Sequence, residues 1–541
     1  MERFDAVVVG AGINGMAAAA RLAGAGWSVA LVDEHPRIGG FIATEERTVP
    51  GYRHDTFSSW HPLFVTGPVY AELGPDLHRH GLEYANADGP VTASVTDAGE
   101  VTIAHRDVER TVAGFAEPAD RDAYRAAIER FGAHAAHLGG LLSSELRSPG
   151  VLGPLWGLAR SGRAELAAYA REVATSGRAW LRTRFRGPEV DRLWAPWLLH
   201  AGLSPDSASG GLMIPVFAAT LHAAGLPVVV GGAGNFLTAW EGLLAERGVR
   251  VLTGRRVDRV VLRDGAAAGV AGDGWAVGAD RAVLASVTPA ALYTRLLPSD
   301  AVPPAAAQEA ARYRPGRAAM QVHVALSGPV PWRDPALAAV PLVHLSDGSA
   351  STGIACAEAE AGLLPRRPTV VVGQQHVLDP SRVPEGAAAL WLQLQEVPFA
   401  PVGDAAGELD VAALDESAGW DAALARGYAD RVLDRVAAHA PGLRDLVLGI
   451  DVITPRDLEA YNPNAIAGDP YAGSAELDQN LIWRSSHATP VERLWHIGAA
   501  THPGPGLGGA SGHLVAGRLL APSLPRRLGR VTGRMRGGLP G

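Results

Sequence analysis

Residues 6–40 read AVVVGAGINGMAAAARLAGAGWSVALVDEHPRIGG, and this stretch decides the fold. A β-branched run, Val7 to Val9, meets the pattern Gly10-x-Gly12-x-x-Gly15, and an alanine-rich stretch with a helical pattern follows. This order predicts a strand, a tight turn and a helix. In such a turn Gly10 permits the bend, Gly12 lets a pyrophosphate approach the backbone, and Gly15 lets the helix pack closely on the strand. The helix N-terminus offers free N–H groups to phosphates, so the stretch predicts a dinucleotide site.

A second strand is predicted from Ser28 to Val32, and it ends at Asp33. A carboxylate at this place accepts hydrogen bonds from ribose hydroxyls and repels a 2′-phosphate. Asp33 therefore favours an adenosine that lacks this phosphate. A glycine pattern alone is weak among 65 glycines, but here strand, glycines, helix, second strand and acid occur in order.

Composition bounds the class of protein. A chain of 541 residues, 47% of them apolar, exceeds one ordinary core and predicts a globular protein of two domains. The net charge of −8, without a basic stripe between aromatic residues, argues against nucleic-acid binding. Cys356 is the single cysteine, which excludes a disulfide or redox dithiol within the chain. Acids near the start run directly into the first strand, so we expect no signal peptide and a cytoplasmic location.

All 48 basic residues are arginine. The absence of lysine excludes Schiff-base chemistry, a lysine general base and a P-loop lysine. No metal site is predicted.

The middle of the chain predicts a helical cap and then a return to the nucleotide fold. From Glu117 to about Ser209 the sequence has helical spacing, and Trp180, Trp194 and Trp197 lie there either in a core or along an apolar channel. Residues 210–234 carry no charge, but their prolines, glycines and a histidine favour a buried helix and strand over a membrane span. Three strands are predicted to follow, at Val249 to Leu252, Val257 to Arg263 and Ala282 to Ser286.

The C-terminal part repeats the strand, loop and helix pattern. A strand ends at Gly498, a loop of glycines and prolines follows, and a helix begins near Ala510. The N-terminus of such a helix can stabilise an electron-rich group.

These motifs together resemble a known family. The list is Arg37-x-Gly39-Gly40 just past the ribose acid, Asn462-Pro463-Asn464, Thr501-His502-Pro503-Gly504 and Gly509-Ala510-x-Gly512. The combination resembles phytoene desaturase-like FAD oxidoreductases of the amine oxidase and desaturase superfamily. The resemblance implies an α/β fold, in which a Rossmann-like FAD-binding domain with a parallel sheet is assembled from discontinuous segments. It also implies an inserted α+β substrate domain, a helical cap and noncovalent FAD, since Cys356 lies in no flavin-adjacent motif.

The resemblance implies contacts for individual residues. Arg37 to Gly40 lies along the pyrophosphate, Thr56, Ser58 and Ser59 lie at the polar edge of the flavin, and the Val257 backbone lies on the adenine side. The helix near Ala510 faces the pyrimidine edge of the flavin. The predicted cofactor-binding residues are Gly10, Gly12, Asn14, Gly15, Asp33, Glu34, Arg37, Gly39, Gly40, Thr56, Ser58, Ser59, Val257, Gly498, Gly508, Gly509, Ala510 and Gly512.

Three residues are candidates for the reacting face. Tyr461 and His502 flank the C-terminal flavin loop and can hydrogen-bond or stack on a conjugated substrate without being essential acids or bases. A histidine can take a proton after hydride loss, or it can simply bond to loop carbonyls. His61, with Trp60, borders the substrate cavity in this interpretation, and a hydrogen-bonded loop histidine is the alternative.

The resemblance implies removal of hydride from an apolar or conjugated small molecule with C=C formation, as in carotenoid or secondary-metabolite biosynthesis. Flavin amine oxidases share the fold but typically hold a lysine near the flavin, and this chain has none. A polyene isomerase and a non-catalytic flavin-bearing binding protein are further alternatives. The electron acceptor and oligomeric state stay open.

The predicted organisation has three FAD-binding segments, 1–100, 226–300 and 456–524, with a helical cap or substrate region at 101–225 and a sheet-based substrate domain at 301–455. A basic tail at 525–541 holds five arginines and no acid. It is expected either to be disordered or to sit peripherally on an anionic membrane. The partners expected are an apolar small-molecule substrate and no nucleic acid.

Overall fold

The computed structural model describes residues 2–411 and 419–521. Its strands are Glu2–Val9 (β1), Val29–Val32 (β2), Thr44–Glu45 (β3), His54–Asp55 (β4), Tyr84–Ala85 (β5), Pro90–Val95 (β6), Val101–His105 (β7), Val228–Val229 (β8), Arg250–Leu252 (β9), Arg259–Arg263 (β10), Ala266–Gly272 (β11), Trp275–Ser286 (β12), Ala318–Leu326 (β13), Leu342–Leu345 (β14), Leu363–Leu364 (β15), Val370–Gly373 (β16), Ala388–Val397 (β17), Gly403–Asp404 (β18), Val447–Ile453 (β19) and Leu494–Ile497 (β20).

Its α-helices are Ile13–Gly24 (α1), Pro62–Val65 (α2), Pro68–Arg79 (α3), Val108–Val112 (α4), Pro118–Leu142 (α5), Leu152–Arg160 (α6), Arg163–Ala174 (α7), Gly177–Arg184 (α8), Glu189–Trp194 (α9), Gly210–Ala224 (α10), Ala233–Glu246 (α11), Pro304–Arg312 (α12), Ser349–Glu360 (α13), Ala422–Ala437 (α14), Leu443–Leu446 (α15), Pro455–Tyr461 (α16) and Ala510–Leu520 (α17).

The first sheet carries the N-terminal glycine loop. Its order is β10-β11-β12-β1-β2-β9, and β20 pairs with β12. β1 runs parallel to β2 and β12, and the pairs β2 with β9 and β12 with β20 are also parallel. The chain leaves β1 for β2 on one side and returns as β12 on the other. The carboxyl ends of β1 and β12 therefore form a topological switch point, where ligands bind in open α/β sheets.

Apolar side chains bury both faces of this sheet. Helices α1, α11 and α17 cover one face in a cluster that includes Met16, Leu31 and Trp240. Val7 and Val283 belong to the cluster on the opposite face. Burial on both sides explains why β1 has a continuous β-branched run instead of alternating with polar residues.

The second sheet has the order β19-β13-β17-β16-β14-β6-β7. Its pairs are antiparallel except that of β14 with β6. One face is apolar and packs on α14, with Val322, Leu392 and Tyr428 in a single cluster. The opposite face includes Gln321 and His323, which bond to the segment after β4. We call this opposite face of the second sheet the polar face.

The cap consists of α5 to α9, a 3₁₀ helix at Pro196–Ala201 and α10. Trp194, Trp197 and Leu198 of the cap share an apolar cluster with Val371 and Trp391 of the second sheet. The buried helix and strand predicted within residues 210–234 are confirmed as α10 and β8. Within residues 2–411 and 419–521, no helix has the length and apolar character needed to cross a membrane.

The predicted α/β architecture is confirmed, and the predicted strands after residue 249 correspond to β9, β10 and the end of β12. β6, at the end of the predicted segment 1–100, and β7, at the start of the predicted segment 101–225, both pair in the second sheet. Strands this short give no local sign of the sheet they join. The basic tail 525–541 lies outside the described residues, and its membrane contact stays a prediction.

Candidate cofactor and active site

The first glycine loop has the geometry that its sequence predicts. Gly10 follows β1 with φ +92°, which favours glycine. A Cβ on Gly15 would lie 1.8 Å from the Gly10 carbonyl oxygen, so only glycine lets α1 approach the strand. A Cβ on Gly12 would have no neighbour within 4 Å. Open space therefore lies above Gly12, at the N-terminus of α1.

Asp33 follows β2, and its side chain hydrogen-bonds to the glycine loop. Its Oδ2 accepts a hydrogen bond from the Ala11 N–H at 2.6 Å, and its Oδ1 accepts one from the His35 N–H at 2.8 Å. A carboxylate has about four lone-pair sites, so Asp33 keeps capacity for ribose hydroxyls.

The segment before β10 passes beside Asp33. The Arg255 N–H donates to the Asp33 carbonyl at 2.8 Å. Glu34 lies 4.0 Å from the Arg256 guanidinium. Val257 itself is buried in the apolar cluster of the first sheet. Its proposed backbone contact with adenine stays a prediction.

The Arg37-x-Gly39-Gly40 segment runs along the first loop. The Gly39 N–H donates to the Ala11 carbonyl at 2.9 Å, and Gly39 forms a bridge with Gly12. Gly39 and Gly40 have φ of +120° and +58°. Arg37 forms an ion pair with Glu45 at 2.8 Å, which raises the pKa of Arg37.

Buried hydrogen bonds hold the C-terminal loop after β20 in place. The Gly498 N–H donates to Ser511 Oγ at 3.0 Å, and the Thr501 and Ser511 hydroxyls lie 2.7 Å apart. A Cβ on Gly498 would lie 2.8 Å from Ser286 Oγ, at the end of β12. The sequence therefore brings the ends of β12 and β20 together through a glycine.

The start of α17 packs directly on α1. Gly509 precedes the helix with φ +64°. The Gly512 N–H donates to Asn14 Oδ1 at 3.3 Å, and a Cβ on Gly512 would lie 1.8 Å from the Asn14 carbonyl oxygen. Gly508 lies against α2, and Ala510 begins α17. The two predicted glycine-rich helix starts, at Ile13 and Ala510, thus meet at one place. Two helix N-termini there favour an anionic group.

Three hydroxyl residues follow β4. Thr56 is fully buried. The Ser58 hydroxyl donates to the Phe41 carbonyl at 2.6 Å, next to Gly40 in sequence. The Ser59 hydroxyl donates to the Asp55 carboxylate. Ser58 thus contacts the residue that follows Gly40, and Thr56 donates to Glu45, the partner of Arg37. The contact of these three residues with a flavin stays a prediction.

His61 lies in an aromatic core. Its Nδ1 is 2.9 Å from the Tyr84 hydroxyl, and its ring packs edge-on against Phe64 and Phe236. Burial lowers the pKa of His61 to about 4. These contacts match the alternative of a structural histidine, and a catalytic role for His61 is untested.

Tyr461 and His502 belong to different groups of contacts. Tyr461 packs against Phe57, with ring centroids 4.4 Å apart, and against His35 at 4.7 Å. Burial raises its pKa, and Arg37 acts in the opposite direction. His502 is buried beside the cap, and its pKa falls to about 4 because of burial and the nearby Arg484. Neither ring nitrogen of His502 has a hydrogen-bond partner within the described part of the chain.

Sequence reasoning missed a buried polar network below His502. His487 Nε2 donates to the His502 carbonyl at 2.8 Å and lies 3.3 Å from Ser511 Oγ. His487 Nδ1 lies 3.4 Å from a carboxylate oxygen of Glu145, which Arg518 also contacts at 2.6 Å. The network joins the end of α5 to the start of α17. No local sequence pattern predicts it, because its members come from three distant segments.

A second missed group is the ion cluster of Asp55, Arg382 and Asp379. Arg382 Nη1 donates to Asp55 at 2.6 Å, and its Nε donates to Asp379 at 3.0 Å. All three side chains are almost completely buried. Asp55 also accepts from the Ala233 N–H at 2.8 Å and so caps α11. The glycine-rich segment Gly231–Gly234 thus has a protein carboxylate at its helix start.

The donors and the open space fit a dinucleotide. The space above Gly12, the acceptor Asp33 and the N-termini of α1 and α17 supply a phosphate site, a ribose site and a site for an electron-rich ring. A bulky cofactor needs no displacement of a side chain at Gly12.

Comparison with known proteins agrees with this geometry. A family model described as flavin containing amine oxidoreductase matches residues 13–520. The rat protein "Pyridine nucleotide-disulfide oxidoreductase domain-containing protein 2" is 26% identical, over 95% of this chain and 92% of its own. A "4,4'-diapolycopen-4-al dehydrogenase" from Metabacillus indicus is 23% identical, over 92% of this chain and 93% of its own.

Solved structures share the fold. The wild-type putrescine oxidase bound to putrescine superposes with a TM-score of 0.60 at 19% identity. The superposition covers 96% of this chain and 99% of that one. At this low identity, the structural likeness shows only that the two proteins share the fold.

Proposed function

Since the chain belongs to the flavin containing amine oxidoreductase family, we propose that this FAD-dependent oxidoreductase removes hydride from an apolar or conjugated small molecule and so forms a C=C bond. The observation that carries the proposal is the aromatic cluster where the cap meets the second sheet. Trp194, Trp197 and Trp391 share that cluster, and Trp60 and Phe217 pack against it. Aromatic side chains suit an apolar or conjugated substrate, because they give contact area without requiring charge.

The residues of this chain would hold FAD at both ends. Gly12 and the α1 N-terminus face the pyrophosphate, Asp33 accepts from the ribose, and the α17 N-terminus faces the ring. When bound, FAD would supply the acceptor for the substrate hydride, and the second substrate proton would pass out to solvent as the C=C bond forms. The protein orients the substrate and excludes water around it.

A flavin amine oxidase is the second candidate, because the family model and the putrescine oxidase structure carry amine chemistry in their names. Two features oppose it. The chain contains no lysine. Two carboxylates on this side of the second sheet are already paired: Asp55, which is buried, with Arg382, and Asp451, which is half-buried, with Arg47. A buried ammonium substrate without a free carboxylate would lose its hydration uncompensated.

Anaerobic flavin reduction tests the proposal. The holoenzyme is mixed with terpenoid and polyene compounds in one series and with putrescine in another. Loss of the visible absorbance of the oxidised flavin is followed in both series. Reduction by a compound of the first group, with a product that has lost two hydrogens, supports the proposal. Reduction by putrescine alone supports an amine oxidase. A changed polyene geometry without flavin reduction supports an isomerase.

We expect FAD to be noncovalent. Cys356 is buried in α13, and burial raises the pKa of its thiol to about 12, so it is a poor nucleophile. Acid or heat denaturation should release a yellow supernatant. Flavin that stays with the precipitated protein would contradict this expectation.

A further inference from the structure

The polar face of the second sheet contains three glutamines at adjacent positions. Gln321 of β13 and Gln393 of β17 are direct partners in the register, and Gln395 lies two residues further along β17. Cross-strand partners have Cβ atoms about 4.5–5.5 Å apart, and diagonal neighbours lie about 7–8 Å apart. The three amides therefore form one patch, which we call the amide patch.

Each glutamine leaves hydrogen-bonding capacity unused. Gln321 Nε2 donates to the Phe57 carbonyl at 2.9 Å, which leaves its Oε1 without a partner. Gln395 Nε2 donates to the Tyr471 hydroxyl, and its Oε1 is also without a partner. Both amides are almost fully buried. Buried polar groups are normally paired, so two free acceptors side by side point to a missing donor.

Gln393 shows that space lies above the patch. It belongs to a strand in the interior of the sheet, and yet its side chain is half-buried where its neighbours on β17 are buried. Among the residues that the structure describes, none forms a hydrogen bond with the Gln393 side chain. Its amide can donate and accept. Its other register partner, Val371, belongs to the aromatic cluster of the cap.

The surroundings oppose a positive charge. His200 and His323 lie on the same side, and burial lowers their pKa values to about 3 and about 4. A cation that enters this region meets the same loss of hydration. The carboxylate on the same side, Asp451, is paired with Arg47 at 2.6 Å.

We propose that the amide patch binds an uncharged hydroxyl group of the substrate. This inference rests on the proposed function, which makes the polar face part of a substrate site. The hydroxyl hydrogen is donated to the free oxygen of Gln321 or Gln395, and the hydroxyl oxygen accepts from the Gln393 amide. A carbonyl group satisfies only the second of these bonds. The apolar body of the same molecule lies along Trp197 and Trp391. The substrate class is thus a hydroxylated terpenoid or polyene.

Matched probes test this inference by binding to the holoenzyme. The pairs are limonene with perillyl alcohol, and β-carotene with zeaxanthin, and putrescine is the charged probe. Binding is followed by quenching of tryptophan fluorescence. We expect the alcohol of at least one pair to bind about 10-fold more tightly than its hydrocarbon, since the site is built for a hydrogen-bonding partner. Equal binding within both pairs, no binding of either alcohol, or tightest binding of putrescine would overturn the proposal.

Variants identify the residues. Gln393→Met and Gln321→Met keep side-chain volume and remove the amide. We expect Gln393→Met to abolish the preference for the alcohol while hydrocarbon affinity stays within about 2-fold. Gln308→Met, on the exposed surface of α12, is the matched control and should keep the preference. Unchanged flavin content and melting temperature verify that each variant is folded, and Gln321→Met provides the second measurement if Gln393→Met is unstable. If both variants still bind the alcohol more tightly than its hydrocarbon, the amide patch does not recognise the hydroxyl group.

Flavin reduction separates this inference from the proposed function. Selective alcohol binding that never reduces the flavin contradicts the proposed function and leaves the amide patch as a binding site. Flavin reduction by hydrocarbon and alcohol with equal affinity supports the proposed function and contradicts the amide patch.

Discussion

Gly12 and Gly15 differ in what a side chain would meet, and this separates binding from folding. A Cβ on Gly12 enters open space, and the residue has φ −70°, which any residue can adopt. We therefore expect Gly12→Val to fold and to purify without flavin, because the valine fills the space that the pyrophosphate needs. Absorbance of the purified protein and its melting temperature are the measurements. Flavin content equal to that of the native protein would contradict the placement of the phosphate site.

Gly15→Ala is the contrasting variant. Its Cβ would lie 1.8 Å from the Gly10 carbonyl oxygen, so α1 must move away from β1. Overpacking of this kind costs about 1–3 kcal/mol of stability. We expect Gly15→Ala to lose stability even when flavin is absent, in contrast to Gly12→Val.

His502 and Tyr461 are predicted to shape the reacting face without acting as essential acids or bases. Burial lowers the pKa of His502 to about 4, so the imidazole is neutral at pH 6 to 9. We expect His502→Ala and Tyr461→Phe to slow anaerobic flavin reduction by a factor that does not change across that pH range. Rates equal to the native rate in both variants would remove these residues from the site. A loss beyond about 10⁴-fold in His502→Ala would assign His502 an essential acid–base role.

At the scale of elements, Glu145 fastens the cap to the cofactor domain. It follows α5 and contacts His487 and Arg518, which lie near and on α17. Desolvation opposes the charge of Glu145, but hydrogen bonds from His487, Ser486 and Arg518 lower its pKa well below the usual range. Glu145→Gln removes these charged bonds and should cost about 1.5–3 kcal/mol. Urea unfolding measures this loss.

Glu165→Gln is the control for this prediction. Glu165 also pairs with an arginine, Arg130, at 2.9 Å, but it is about one-third exposed within the cap. Pairs near the surface contribute about 0–1 kcal/mol. If both substitutions lower the free energy of unfolding equally, the contact of Glu145 with α17 contributes no more to stability than a surface ion pair.

For the whole molecule, the sequence predicts those parts that depend on neighbouring residues. Gly10, Gly12 and Gly15 act within one turn, so their spacing is sufficient to place strand, bend and helix. Gln321 and Gln393 meet only because β13 pairs with β17, and neither strand specifies its partner locally. The bond of Glu145 with Arg518 spans 373 residues. Such contacts depend on how the two sheets and the cap pack, and a single sequence carries no local signal for that packing.

Buried histidines make the whole molecule sensitive to acid. Among the described residues, burial is the largest cause of a lowered pKa at eight of them, with values of about 3 or 4: His54, His61, His200, His323, His376, His496, His502 and His513. In the unfolded chain these groups take up protons near pH 6.5, whereas in the folded protein they stay neutral down to about pH 4. The unfolded state therefore binds more protons between these values, and folding stability falls as the pH is lowered through this window.

The carboxyl group of Glu396 acts in the opposite direction. Burial raises its pKa to about 7, so its contribution is present at low pH and is lost as the pH rises from about 4.5 to 7. Burial also raises the pKa values of Asp191 and Asp469. These eight histidines outnumber the three carboxyls. Each histidine lowers the free energy of unfolding by up to about 1 kcal/mol as the pH falls from 7 to 5.5, so the net effect is a loss of stability.

We expect the midpoint of urea unfolding to fall steadily from pH 7.5 to pH 5.5. His61→Phe, which removes one buried imidazole from a site with three aromatic neighbours, should reduce the slope of stability against pH. His78→Phe, at an exposed histidine of α3, is the control and should leave that slope unchanged. A stability that is constant, or that rises, as the pH falls from 7.5 to 5.5 would mean that the imidazoles are charged in the folded protein, and the assignment of His502 as a neutral residue of the site would fail with it.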